Sequence, residues 1–207
     1  AQAMVNGIGE MLSKGISFSL YMTHGGTSFG HWAGANSPGF QPDVTSYDYD
    51  APINEYGLPT PKYWQLRTLL QQYAKGKLPA VPKAPQPIVS TPEASLTGWA
   101  PLKAGIASER KSDQPLTFEE MDMGWGTMVY TTTLPELDGK TVLTMDAHDY
   151  AQVYLNGVYV GKTDRVLNEK QVVLPAAGKD AKLSIVVEGM GRINFGRAIN
   201  DRKGILG

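Results

Sequence analysis

The sequence predicts an α/β segment followed by an all-β domain, and three observations support this. Two amphipathic helical patterns flank a short apolar strand near the start of the chain. A proline-rich stretch then interrupts regular structure. Beyond it, short runs rich in Val, Thr and Tyr are bounded by Gly, Pro and Asp. The predicted divisions are therefore residues 1–76, a linker over residues 77–95, and a β domain over residues 96–207.

The composition is that of an ordinary globular protein. The 207 residues carry a formal net charge of −1. Because basic residues form no stripe, neither nucleic acid nor a membrane surface is an expected partner. No apolar run approaches the roughly 18 residues of a membrane-spanning helix, and no signal peptide is visible. Since the sequence has no cysteine, disulfides, thiolate catalysis and Cys-ligated zinc are excluded.

The first helix is predicted from apolar residues at helical spacing, with Gly15 as its stop: Met4, Ile8, Met11 and Leu12. Residues 16–22, ISFSLYM, follow as a strand that is apolar or small on both faces, which is typical of a buried parallel sheet. A lone parallel strand leaves its backbone groups unpaired. We therefore expect its partner strands to lie outside this chain. The alternative is that it pairs with the later sheet.

The second helix is predicted to begin at Thr60, a natural N-cap, with Pro61 at the first helical position. Gly76 is its predicted end. Its apolar face is expected to contain Tyr63, Leu66, Leu70 and Tyr73.

At least five short strands without helices are predicted after residue 96, which indicates a sandwich or jelly roll. The clearest signal is Asn156-Gly157 between two strands, typical of a two-residue hairpin turn. Alternation predicts that Ala151, Val153 and Leu155 face one way, with Gln152 and Tyr154 on the other side.

Two carboxylates, Asp48 and Asp50, lie two residues apart, as an acid–base pair or a hard-metal site would require. The favoured interpretation is that they cap backbone N–H groups at loop corners. The histidines, His24, His31 and His148, show no zinc-binding spacing. No metal and no cofactor are expected.

Aromatic residues are the richest feature of the loop between the two helical patterns. Seven of them fall within residues 21–56. A sugar ring has an apolar face and a rim of hydroxyls, so carbohydrate sites combine aromatic platforms with tyrosine hydroxyls and carboxylates. The loop is therefore a candidate sugar-binding segment. The aromatic residues are Tyr21, Phe29, Trp32, Phe40, Tyr47, Tyr49 and Tyr56.

Several motifs in order resemble the family 35 glycoside hydrolases. SLYMTHGGTSFGHWAGANSP and TSYDYDAPINEYGLPTPKYWQLRTLL resemble the last strand, loop and helix of that family's TIM barrel. MGWGTMVYTTTLP, HDYAQVYLNGVYVG and VEGMGRINFGRAINDRKGI resemble its first galactose-binding-like jelly roll. The resemblance implies an α/β barrel fragment followed by a jelly-roll domain, in a retaining β-galactosidase that is secreted, periplasmic or lysosomal. It also implies a galactoside substrate, with the rest of the barrel, or a completing chain, as partner.

The family's two catalytic glutamates lie on earlier barrel strands, and neither Glu10 nor Glu55 matches their motifs. The resemblance therefore implies that this chain holds no catalytic residue and is inactive alone. It implies that Tyr21 and Tyr49 contact galactose. We name Trp125 and Tyr154 as candidate contacts to the aglycone. The alternative is a non-catalytic carbohydrate-binding or structural module.

Overall fold

A computed structural model describes residues 1–83 and 91–207 and divides the chain into two compact units. Unit 1 comprises Ala1–Thr27 and Ser46–Gly105, and unit 2 comprises Ser28–Thr45 and Ile106–Gly207. The molecule is mostly β, with two α-helices and antiparallel sheets in the described ranges. None of the helices described is long and apolar enough to cross a membrane.

Unit 1 contains both helices, α1 (Gln2–Ser13) and α2 (Pro61–Tyr73). As predicted, the backbone N–H of Tyr63 donates to the Thr60 side chain, which caps α2. The chain leaves α1 through Gly15, at a φ of 71° that glycine tolerates best.

The helices pack through a small apolar cluster. Its buried residues are Val5, Ile8 and Leu66, and Leu69 packs against them. The prediction for α2 is wrong at the C-terminal end of the helix. Tyr73 is 46% exposed, and the helix ends at this residue, before Gly76.

Residues 16–22 differ from the predicted strand, because no described residue forms a β-ladder with them. Their side chains alternate: Phe18 and Leu20 pack against the helices, whereas Ser17, Ser19 and Tyr21 are exposed. The alternative of pairing with the later sheet is therefore not realised in the described structure. The backbone groups of a strand need neighbouring strands as partners. Residues 16–22 therefore show the alternating side chains of a strand but form no ladder.

The predicted linker, residues 77–95, is described only in part. Residues 77–83 and 91–95 form neither helix nor strand, and residues 84–90 lie outside the described residues. The first part runs along α2, where the Leu78 N–H donates to the Gln71 side chain at 3.1 Å and the Arg67 guanidinium donates to the carbonyl of Pro79.

All strands of the described structure belong to unit 2. They are β1 (Gly34–Asn36), β2 (Gln41–Pro42), β3 (Gly126–Leu134), β4 (Val142–Thr144), β5 (Ala147–His148), β6 (Tyr150–Leu155), β7 (Val158–Asp164), β8 (Gln171–Val173), β9 (Ala181–Gly189), β10 (Arg192–Ile193) and β11 (Gly204–Ile205).

The largest sheet is antiparallel, in the order β3-β9-β6-β7. Asn156 and Gly157 form the predicted hairpin turn between β6 and β7, and both have positive φ. Smaller ladders join β4 to β8, β5 to β11, and β1 to β2 and β10.

One face of the large sheet builds the core of unit 2. The predicted inward residues Ala151, Val153 and Leu155 are at most 4% exposed. Phe118 and Val187 are completely buried in the same cluster. Alternation along β6 and β9 therefore directs every second side chain inward.

The loop segment Ser28–Thr45 packs with the β strands, so the predicted segment 1–76 contributes to both units. In it, β1 pairs in parallel with β10, with Gly34 opposite Arg192. Gly191 makes this close approach possible, because a Cβ there would lie 2.1 Å from the carbonyl oxygen of Gly34.

A buried ion cluster lies in unit 2. The Lys203 ammonium, on a residue 1% exposed, donates to Asp149 at 2.5 Å, to Asp201 at 2.9 Å and to the carbonyl of Gly191 at 3.0 Å. Arg165 donates to the same two carboxylates at 2.8 and 2.7 Å. Two cations thus neutralise two anions, as burial of charge requires.

The ring of Phe40 covers this cluster from the segment Ser28–Thr45. Its centroid lies 4.2 Å from the Arg165 guanidinium carbon and 4.6 Å from the Lys203 nitrogen. Both distances are within cation–π range. The cluster therefore connects the loop segment to the C-terminal strands of unit 2.

Acid is expected to weaken the cluster. Burial raises the pKa of Asp201, but the nearby ring of His148, hydrogen bonds from Lys203 and Arg165 and the charge of Lys203 outweigh it, so this pKa lies well below its usual range. A carboxyl group whose pKa is lowered by folding stabilises the folded state at pH values above its unfolded pKa of about 3.9. This stabilisation is lost as the pH falls toward the folded pKa.

We therefore expect the stability difference between wild type and Asp201→Asn to be constant from about pH 7 to pH 5 and to shrink below about pH 4. Urea unfolding of both proteins at each pH measures it. A difference that stays constant down to pH 3 would contradict the assignment.

Candidate functional site

Tyr21 and Tyr49, the predicted galactose contacts, both lie in unit 1 with their side chains open to solvent. Tyr21 is 88% exposed and Tyr49 is 66% exposed. Tyr21 follows the extended segment 16–22, and Tyr49 lies in a turn with a φ of 42°. Both side chains are therefore mostly exposed to solvent.

The backbone brings the segments that carry these two tyrosines together. The Ile53 N–H donates to the Thr23 carbonyl at 3.0 Å, and the Tyr47 N–H donates to the Gly26 carbonyl at 3.0 Å. Gly25 is in direct contact with the turn, because a Cβ there would lie 2.3 Å from the Cα of Asp48. The Gly-Gly sequence therefore permits a close backbone approach.

The ring of Tyr49 packs edge-on against Tyr47, with centroids 4.8 Å apart. An edge-to-face pair of this kind restricts the ring, and Tyr49 remains mostly exposed. Tyr47 was expected only as one of the seven loop aromatics, and its supporting role emerges from the ring contact in the structure.

Asp48 and Asp50 do not form an acid–base pair in unit 1. The Asp48 carboxylate accepts a hydrogen bond from the Ala51 N–H at 3.3 Å, as a loop cap would. Asp50 forms an ion pair with Lys62 at 2.6 Å. The hydrogen bond from Lys62 holds the pKa of Asp50 below its usual range, so this carboxylate is ionised and engaged. Both aspartates support the turn that carries Tyr49.

The two glutamates weighed in the sequence make local surface contacts. Glu10 pairs with Lys14 at 2.6 Å on the exposed side of α1. Glu55 accepts a hydrogen bond from the Ser46 hydroxyl. Each glutamate therefore has a local partner within unit 1.

The histidines are not gathered into a metal site, and the described residues contain no group of three or more metal-ligating side chains. His24 bridges to Ile53 through its backbone. A ring nitrogen of His31 contacts the Gly189 carbonyl, and one of His148 lies 2.8 Å from the carbonyl of Arg202. All three have structural contacts.

The two aglycone candidates lie in unit 2. Trp125 is 49% exposed and stacks on Trp32, with ring centroids 3.9 Å apart. The Tyr154 hydroxyl donates to the Gln152 side chain at 2.8 Å, and its ring packs edge-on against Tyr159. Trp32 was only one of many loop aromatics in the sequence, and its pairing with Trp125 joins positions too distant for any sequence pattern to reveal.

Two family profiles match the chain. Residues 1–73 match the glycosyl hydrolases of family 35, and residues 115–207 match the first all-β domain of beta-galactosidase. The matches follow one another in the order that the sequence motifs indicate.

Curated relatives align along nearly the whole chain. A beta-galactosidase of Bos taurus is 40% identical over 95% of this chain, and one of Homo sapiens is 36% identical over 99%. A beta-galactosidase-1-like protein of Mus musculus is 36% identical over 99%. The chain spans about a third of the length of these relatives, between 31% and 33%.

Proposed function

Since the chain belongs to the family 35 glycosyl hydrolases, we propose that it is the C-terminal part of the barrel, plus the following jelly roll, of a retaining β-galactosidase. The observation that carries this is the match of both segments, in order, to beta-galactosidases at 36–40% identity. The proposed reaction is hydrolysis of terminal β-linked galactose, in a secreted, periplasmic or lysosomal protein.

In this proposal the chain recognises the sugar and does not attack it. Two carboxyls are needed, one as nucleophile and one as acid and then base, and both would come from other strands of the barrel. The hydroxyls of Tyr21 and Tyr49, two largely exposed residues, would bond galactose hydroxyls. The Tyr21 hydroxyl would also reach the nucleophilic carboxylate and favour its ionised form.

The first test compares this chain with the natural protein that contains it. We expect the natural protein to hydrolyse a chromogenic β-galactoside and the isolated chain to show no turnover. Turnover by the isolated chain that survives repurification, and that is lost when residues of this chain are changed, would refute the proposal that both catalytic carboxyls lie outside this chain.

The second test removes the two hydroxyls in the natural protein. We expect Tyr21→Phe and Tyr49→Phe each to lower kcat/KM for a β-galactoside about tenfold, because each loses one hydrogen bond to the sugar. Tyr56→Phe is the matched control, since Tyr56 is similarly open at 61% exposure and lies in the same loop region. Equal activity of all three variants would contradict the assigned roles.

A further inference from the structure

We propose that Asn156, at the tip of the β6–β7 hairpin, is a modification site that deamidates without an enzyme to aspartate and isoaspartate. The backbone nitrogen of Gly157 attacks the side-chain carbonyl carbon of Asn156 and forms a succinimide ring. The bond from that carbon to the side-chain nitrogen breaks, and ammonia leaves with the proton of the attacking nitrogen. Water then opens the ring at either of its two carbonyls. Water is therefore the sole co-reactant, and the reaction is chemically independent of the proposed galactoside hydrolysis.

The hairpin turn leaves the attacking nitrogen accessible. Asn156 and Gly157 are both exposed, with φ values of 51° and 82°. The ladder between the two strands closes at Leu155 and Val158, so the N–H of Gly157 lies outside it. A Cβ at Gly157 would meet nothing within 4 Å, so the turn has room to rotate toward the geometry of attack. The nitrogen therefore has no ladder bond to break and no side chain of its own residue to obstruct it.

The carbonyl group under attack is already polarised by β9. The side-chain oxygen of Asn156 accepts a hydrogen bond from the Lys182 N–H at 2.8 Å. Negative charge develops on this oxygen when the nitrogen attacks, and a backbone N–H already directed at it stabilises that charge. The Asn156 N–H donates in return to the Lys182 carbonyl at 2.8 Å, which holds the turn beside the donor. Lys182 therefore favours the reaction through its backbone.

A second Asn-Gly pair, Asn6-Gly7, provides an internal comparison. It lies within α1, and the N–H of Gly7 is beyond the first turn, where it has a helical acceptor. The Asn6 side chain accepts a hydrogen bond from Gln2 at 2.8 Å. Attack at this pair requires the helix to open first. The two pairs have the same residues in different secondary structure, so the hairpin pair is expected to react faster.

Isoaspartate at this position weakens the hairpin. It carries the main chain through the former side chain and adds a carbon atom to a turn whose length sets the register of β6 against β7. The oxygen that accepted from Lys182 becomes part of the main chain and can no longer hold its place. Leu155, which directly precedes the turn, is buried and pairs with Leu183 of β9. The modification therefore reaches the core of unit 2.

The test ages the natural protein that contains this chain in mildly alkaline buffer and follows its tryptic peptides by mass spectrometry. Trypsin cleaves after Lys140 and Lys162, and the peptide between these cuts has Asn156 as its single asparagine. This peptide should gain the mass of OH in place of NH2 and become a substrate for a protein isoaspartate methyltransferase. We expect Asn156 to convert about tenfold faster than Asn6, where a helical hydrogen bond must break first.

Asn156→Gly is the matched control, because glycine accepts the positive φ of the turn and has no side-chain amide. Thermal unfolding before ageing confirms that the variant is folded. During ageing, the unfolding temperature of wild type should fall as isoaspartate accumulates, and that of Asn156→Gly should stay constant. An unmodified Asn156 in aged wild type, or equal conversion of Asn6 and Asn156, would overturn the assigned site. An equal fall in the unfolding temperature of both proteins would overturn its effect on the hairpin.

Discussion

Replacing Lys203 with methionine is expected to destabilise the chain by about 3–5 kcal/mol, the usual cost of breaking a buried ion pair. The ammonium has three acceptors, Asp149, Asp201 and the carbonyl of Gly191. Methionine fills a similar volume and satisfies none of them. Two carboxylates that are at most 6% exposed would then share Arg165 as their remaining cation in the cluster.

Urea unfolding at pH 7 measures this loss, with Lys170→Met as the matched control. Lys170 also pairs with an aspartate, Asp146, at 2.8 Å, but its side chain is half-exposed. Surface pairs of this kind contribute about 1 kcal/mol or less. If Lys203→Met lost no more than Lys170→Met, the buried cluster would not be a main stabilising element of unit 2.

The second large effect is expected from Gly25→Ala, which should lower kcat/KM of the natural protein on a β-galactoside about a hundredfold, as small displacements of a binding group can. The added Cβ would lie 2.3 Å from the Cα of Asp48 and 2.3 Å from the carbonyl oxygen of Tyr47. These are backbone atoms, so no side-chain rotation relieves the clash. The turn that carries Tyr49 must move.

Gly98→Ala is the control, because a Cβ at Gly98 meets nothing within 4 Å. Thermal unfolding of the same variants separates a displaced turn from an unfolded protein. A folded Gly25→Ala protein with wild-type kcat/KM would show that the position of this turn does not matter for the sugar.

Local features of the structure were predictable from the sequence. Thr60 and Pro61 predicted the start of α2 because capping depends on neighbouring residues. Asn156-Gly157 predicted its hairpin because positive φ at both positions is a property of those residue types.

Long-range features were not predictable. The stacking of Trp32 on Trp125 and the covering of Arg165 by Phe40 join residues far apart in sequence, and no periodic pattern encodes such contacts. The burial of Lys203 was equally hidden, since an isolated lysine normally indicates an exposed position. For residues 16–22, the composition of a strand was present, but pairing depends on neighbours that the pattern does not contain.

The membership of Ser28–Thr45 in unit 2 has a consequence for how the protein is made. His31 and its partner Gly189 are 158 residues apart, and synthesis proceeds from the N-terminus. The segment therefore leaves the ribosome long before β10 and the ion cluster are synthesised. Until then its aromatic residues lack the later residues of unit 2 with which they pack. Since closure of such long-range contacts is slow, the ladder between β1 and β10 is expected to form late in folding.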